Sequence, residues 1–235
     1  MRAILLIAVN FVREQRWPIF VLLLWVLLLA FLGLIPNIQR QREDLLFIFK
    51  QVAVYVVVFS VFFGGSAIHN ERKSRRILAV LSKAVGRQQY LSGLVLGITI
   101  ACSLYCFELG ITGSWTLGEA GFPVREVWFL MLYLVVASLL AGTVALMFST
   151  FLNPFFAASA TVVFLGLPAL AAHVGVAGPY VSPLYSLGKA VWDSSFEPSS
   201  KALWSVLSLA VLETIVFWVI AAHIFSRMDI AVSVE

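Results

Sequence analysis

Six long apolar runs, nearly free of charge inside, decide what this chain can fold into. They cover residues 18–35, 52–68, 90–107, 127–151, 155–174 and 203–225. The hydrocarbon core of a bilayer is about 30 Å thick, and roughly 20 apolar residues of helix are needed to cross it. The 235-residue chain is 61% hydrophobic and 12% charged, whereas a soluble domain carries about a quarter charged residues. Its mean hydropathy is +0.99. A chain this apolar cannot cover itself with polar surface, so its expected solvent is lipid. Closed barrels span membranes with strands of alternating polarity, and these runs do not alternate. The expected class is therefore all-α: a polytopic membrane protein with six transmembrane helices, one membrane domain over residues 1–235.

The net charge of +4 does not point to nucleic acid, because the positive residues gather at the ends of apolar runs. With six spans, one side collects Arg2, Arg13, Arg16, Arg72, Lys73, Arg75, Arg76, Lys83, Arg87 and Arg227. The other collects Arg40, Arg42, Lys50, Arg125, Lys189 and Lys201, offset by Glu43, Asp44, Glu108, Glu119, Glu126, Asp193 and Glu197. Excess Lys and Arg mark the cytoplasmic side, so both termini are expected in the cytoplasm and the chain in the plasma (inner) membrane. Residues 36–49, 108–126 and 175–202 then form outer segments. In the second of these, Gly110, Gly113, Gly118, Gly121 and Pro123 read as helix breakers. Asn153-Pro154 reads as a tight inner turn.

Residues 1–17 form a separate element. Ile4, Leu5, Ile7, Ala8, Phe11 and Val12 can share one side of a helix, and Trp17-Pro18 follows. That pattern suits an interfacial helix turning into the first span, the alternative being an extension of that span. Asn10, Arg13, Glu14 and Arg16 precede the first long run, and no small-residue cleavage pattern follows it. A cleaved secretory signal is therefore not expected.

The exception to the apolar pattern is the stretch 69–90, HNERKSRRILAVLSKAVGRQQY. Charge is concentrated in its first part. Ile77, Leu78, Val80 and Leu81 then recur at helical spacing. A short amphipathic helix at the cytoplasmic surface is expected, with Arg72, Lys73, Arg75 and Arg76 available to acidic groups of a partner or to anionic lipid. The plainer reading is a loop whose charges only fix orientation.

Here the chain resembles the permease subunits of ABC transporters of the ABC-2 export type. That family carries, after its second span, a stretch like E-R-x-x-G-T-L-x-x-L-L-S-x-P-V-x-R-x-x-Y. Glu71, Arg72, Leu78, Leu81, Ser82, Val85, Arg87 and Tyr90 occupy matching places, while Arg75-Arg76 stands for Gly-Thr and Ala84 for Pro. The resemblance implies a pair of permease subunits, identical or homologous, lining a path for an amphipathic or hydrophobic cargo. It implies two separate ATPase subunits that bind ATP and Mg. It also implies that residues 69–89 act as a cytoplasmic coupling helix, with Glu71, Arg72, Arg75, Arg76, Leu78, Leu81, Ser82 and Arg87 at the ATPase contact. The chain has no G-x-x-x-x-G-K-[ST] phosphate loop of its own, so it is read as non-catalytic and without a cofactor. The family also often forms short re-entrant helices before the last span, here within 178–200.

Other residues keep two readings. Glu213, near the middle of the last run, costs at least about 2.5–3.5 kcal/mol at a bilayer centre; it is a substrate-path residue or a structural hydrogen-bonding group. Glu108 reads as an anchor near an outer boundary. Cys102 and Cys106 share a helix face and read as packed small residues. His69, His173 and His223 are scattered, and no metal-ligand spacing is present. Gly93 with Gly97, and Ala137 with Ala141 and Ala145, are faces that let helices approach closely, within the subunit or between two. Gly64-Gly65 is a hinge or a packing site. The rival functions are a non-transporting membrane scaffold and an ion-coupled carrier. The latter would want more buried charge than Glu213 and an inverted repeat.

Overall fold

A hydrocarbon solvent offers the backbone no hydrogen-bond partners, so apolar runs of this length must satisfy themselves as helices. In a computed structural model, which describes residues 2–33, 42–73, 86–119, 121–175, 182–192 and 203–227, all regular structure is helical among the described residues. The order is α1 (Arg2–Glu14), α2 (Arg16–Gly33), α3 (Arg42–Lys73), α4 (Arg87–Glu119), α5 (Val124–Ser149), α6 (Pro154–His173), α7 (Pro183–Trp192) and α8 (Leu203–Arg227). Five of these, α3, α4, α5, α6 and α8, are long and apolar enough to cross a membrane, as in a multi-pass membrane protein. The first apolar run forms α2, whose described apolar stretch is the shorter Arg16–Leu28.

The bundle is built around α5. Of its most apolar stretch 78% is buried, against 11% for α6. It packs against α3, α4, α6, α7 and α8. Ile98 lies against Gly142 and Met131 against Gly110, so α4 and α5 run antiparallel. The outward faces carry Phe155, Phe156, Val162 and Leu167 on α6, and Leu212 and Ile215 on α8. Large apolar side chains in such number on the outside suit lipid contact rather than water.

Small residues set the closest approaches. A Cβ on Gly64 would stand 2.2 Å from the Gly142 carbonyl oxygen, so α3 and α5 touch backbone to backbone. Gly65 faces the start of α6 at Pro154. α3 continues as one helix through both glycines, which favours the packing reading over the hinge. Gly93 and Gly97 accept Ile7 and Phe11 of α1, and Ala141 and Ala145 cluster with Val61 of α3. These small-residue faces are used within the chain.

Two boundaries correct the sequence reading. Residues 42–49 are not loop, because α3 begins at Arg42. More markedly, 108–126 is not an outer loop: α4 runs 33 residues, to Glu119. Gly110 and Gly113 do not break it because they are contact points, for Trp128 and Phe49 respectively. The helix stops at Gly121, whose φ of 81° lies in the left-handed region that glycine tolerates. There the Gly121 and Phe122 N–H groups donate to the Gly118 and Leu117 carbonyls, both at 3.0 Å, the hydrogen-bond pair of a Schellman motif. Pro123 then precedes α5 in extended conformation. At the opposite end the Asn153-Pro154 turn appears as expected. Asn153 is extended and Pro154 opens α6, where its missing N–H costs nothing.

Candidate functional sites at the connector ends and around Glu213

The charged connector enters from α3 and leaves through α4. Glu71 and Arg72 belong to the last turn of α3. Arg75, Arg76, Leu78, Leu81 and Ser82 lie outside the described residues. Arg87 is the first residue of α4. Its Nη1 donates to the carbonyl oxygens of Phe225, at 3.1 Å, and Ser226, at 2.7 Å. Those carbonyls close α8, where the last turn has no intrahelical donors and a cation meets the negative end of the helix dipole. Three residues on, Tyr90 stacks on Phe225 with ring centroids 6.1 Å apart and planes 18° from parallel. The exit of the connector is therefore fastened to the end of α8.

The N-terminal helix bears on the same region. α1 is a distinct element, separated from α2 by Gln15. The Gln15 N–H donates to Phe11 and its carbonyl accepts from Ile19, both at 3.0 Å. Pro18 has no N–H to give. α1 buries Ala8 and Phe11 and leaves Leu5, Leu6 and Val9 exposed. Phe11 meets Phe63 of α3 edge to face, at 6.4 Å. One face of α1 thus locks onto α4 and touches α3 through Phe63, and the other is apolar and uncovered.

At the far end, α7 gives a folded core to the segment 175–202. Pro183, Leu187 and Val191, one helical face, are buried, and the helix packs mainly on α5 and α8. The ammonium of Lys50 on α3 donates to the Trp192 carbonyl, and Phe47 meets Trp192 edge to face at 6.3 Å. His173 Nδ1 lies 3.2 Å from the Tyr185 hydroxyl, joining α6 to α7.

Where α5, α6, α7 and α8 meet, a cavity of about 230 Å³ opens, and Glu213 is on its wall. The other lining residues are Leu140, Phe164, Leu165, Pro168, Ser182, Pro183, Leu184, Val216 and Phe217. Pro168 cannot donate to the carbonyl of Phe164 one turn back. Ser182 Oγ already accepts the Tyr185 N–H, at 3.3 Å.

The remaining candidates are placed as follows. Glu108 is not at a helix end, since α4 continues about three turns past it, and its Oε2 is buried without a hydrogen-bond partner among the described residues. Cys102 and Cys106 are buried free thiols. No cluster of three or more His, Cys, Asp and Glu side chains suited to a metal ion occurs among the described residues. Sequence reasoning missed the Arg87–α8 tie and the Lys50–Trp192 bond. Both join residues more than a hundred positions apart, and neither leaves a local pattern. The proline and aromatic residues of 178–200 did signal the region of α7.

No protein-family model matches the chain, and no curated protein matches it as a relative.

Proposed function

We propose that this chain is the membrane-spanning subunit of an ATP-driven exporter of the ABC-2 type, with α2 as the first of six spans and residues 69–89 as its cytoplasmic coupling element. The observation that carries the reading is the pattern at 71–90, Glu71-Arg72 through Arg87 and Tyr90, set between two long helices. The fastening of Arg87 to α8 supports it. A partner pulling on the connector would act on α3, α4 and α8 together, and packed helices move more readily as bodies than they bend. On this reading two such subunits, identical or homologous, line the path. Two ATPase chains carry ATP and Mg, and this chain catalyses nothing. Lipid surrounds it, and nucleic acid is not a partner.

The test is purification of the tagged chain from its native membrane. A stoichiometric partner that contains a phosphate loop and hydrolyses ATP is expected. Reversing Arg72, Arg75 and Arg76 to Glu should release that partner or uncouple its hydrolysis from the membrane subunit. A chain that purifies without such an ATPase, or an association and coupling indifferent to the three reversals, overturns the reading and favours the scaffold.

A further inference from the structure

We propose that the cavity at the junction of α5, α6, α7 and α8 is a binding site for a lipophilic amine, held as its ammonium ion by Glu213 with its apolar body against the aromatic and aliphatic wall. As a cargo subsite this rests on the exporter reading; as a binding site it does not.

The chemistry of the wall selects the ligand. Glu213 is the only ionisable residue among the described residues that line the cavity. A carboxylate in hydrocarbon surroundings is costly unless it is paired, and none of the described lining residues is a Lys, Arg or His to pair it. The one hydroxyl among the described lining residues, Ser182, caps the first turn of α7 through Tyr185. With no countercharge among the described lining residues, an ionised Glu213 takes its countercharge from the occupant. The aromatic lining points to the same sign. Phe164 and Phe217 both face the cavity and meet edge to face at 5.6 Å, and aromatic faces attract cations.

Other occupants fit less well. A hard metal ion wants six or more oxygen ligands, and one carboxylate with one hydroxyl cannot supply them. A lipid acyl chain or a neutral alcohol would fill the apolar volume but leave the carboxylate unmatched. A peptide or glycan would bring many polar groups to a wall that offers almost no partners. The volume sets the size. At about 30 Å³ per water, 230 Å³ holds the volume of about eight waters, room for a small arylalkylamine or that part of a larger cargo.

The test uses the purified full chain in phosphatidylcholine nanodiscs, with neither nucleotide nor ATPase, and isothermal titration against empty discs. The probes are 3-phenylpropylamine and 3-phenylpropan-1-ol, alike in shape and different in charge. The amine is expected to bind at least tenfold more tightly than the alcohol. E213Q should bring the amine down to the affinity of the alcohol and leave the alcohol unchanged, E213D should keep the preference, and L184W should weaken both ligands by filling the space. Equal affinities in the unaltered protein, no binding of either probe, or a preference that survives E213Q overturns the proposal. The unaltered-protein comparison decides even where E213Q gives no folded protein. Because no ATPase is present, failure of the exporter reading would leave this result standing, and the reverse also holds.

Discussion

Arg87 Nη1 sits 2.7 Å from the carbonyl oxygen of Ser226, across 139 residues of sequence. A first-turn residue of one long helix thus satisfies the final turn of another. Arg87→Ala removes two charge-assisted bonds and leaves two carbonyls short of a donor. The expected cost is about 1.5–3 kcal/mol, read as a lower melting temperature in detergent, with Arg87→Lys recovering part of it. An unchanged melting temperature would mean the tie contributes nothing.

The Gly64–Gly142 contact makes a sharper prediction. Gly64→Ala puts a methyl group into a backbone carbonyl that has nowhere to retreat, so α3 and α5 must separate and the yield of folded protein should collapse. Gly166→Ala is the control: nothing lies within 4 Å of its Cβ position. That change should be neutral, or stabilise by about 0.5–1 kcal/mol, because alanine is the better helix former. Size-exclusion profiles and thermal melts of the two variants check both halves.

Phe11 tests the seating of the N-terminal helix. It is 2% exposed and sits against Gly97 and Phe63. Phe11→Ala is expected to cost about 3–5 kcal/mol and to open residues 2–14 to protease, while Val9→Ala, on the uncovered face, should do neither.

Tyr105 should matter less than its depth suggests. Its hydroxyl donates to the Val52 carbonyl at 2.6 Å, but that carbonyl also lies inside α3 and keeps its helical donor. Tyr105→Phe should therefore cost only about 0.5–1.5 kcal/mol, measured as a small drop in melting temperature.

Sidedness is open to direct measurement. Cys102 and Cys106 are buried, so the unaltered chain should take no membrane-impermeant maleimide. With His69→Cys and Ser226→Cys, label should enter from the cytoplasmic face; with Trp115→Cys it should enter from the other. Labelling of His69→Cys from outside would overturn the proposed topology and with it the proposed coupling role of the connector.

The helical class was legible in the sequence because apolar length in lipid leaves the backbone no other choice. The Asn153-Pro154 turn was legible too, since extended Asn before Pro is a local signal. The misreading of 108–126 has an equally physical cause. A glycine in a helix looks the same in sequence whether it ends the helix or accepts a neighbouring ring, and Trp128 and Phe49, which decide the matter, come from other helices. Gly121 differs from Gly113 in its backbone conformation and in the open space where Gly113 meets Phe49. At the candidate site, Glu213 stood out as a charge in an apolar run, but its cavity takes walls from four helices and could not be seen in any one of them. Arg87 was singled out by a motif, and the α8 carbonyls it meets belong to a backbone that no motif records.

The length of α4 reaches beyond the bundle. Thirty-three residues at 1.5 Å each make a rod of about 50 Å, while the oily slab is about 30 Å deep. With Arg87 at the lower headgroups, the slab ends close to Glu108, and the remaining turns, with Thr112, Ser114, Thr116 and Glu119, stand clear of the lipid tails as an overhang. That rim of the protein is thus a rigid parapet of helix rather than a loose strap.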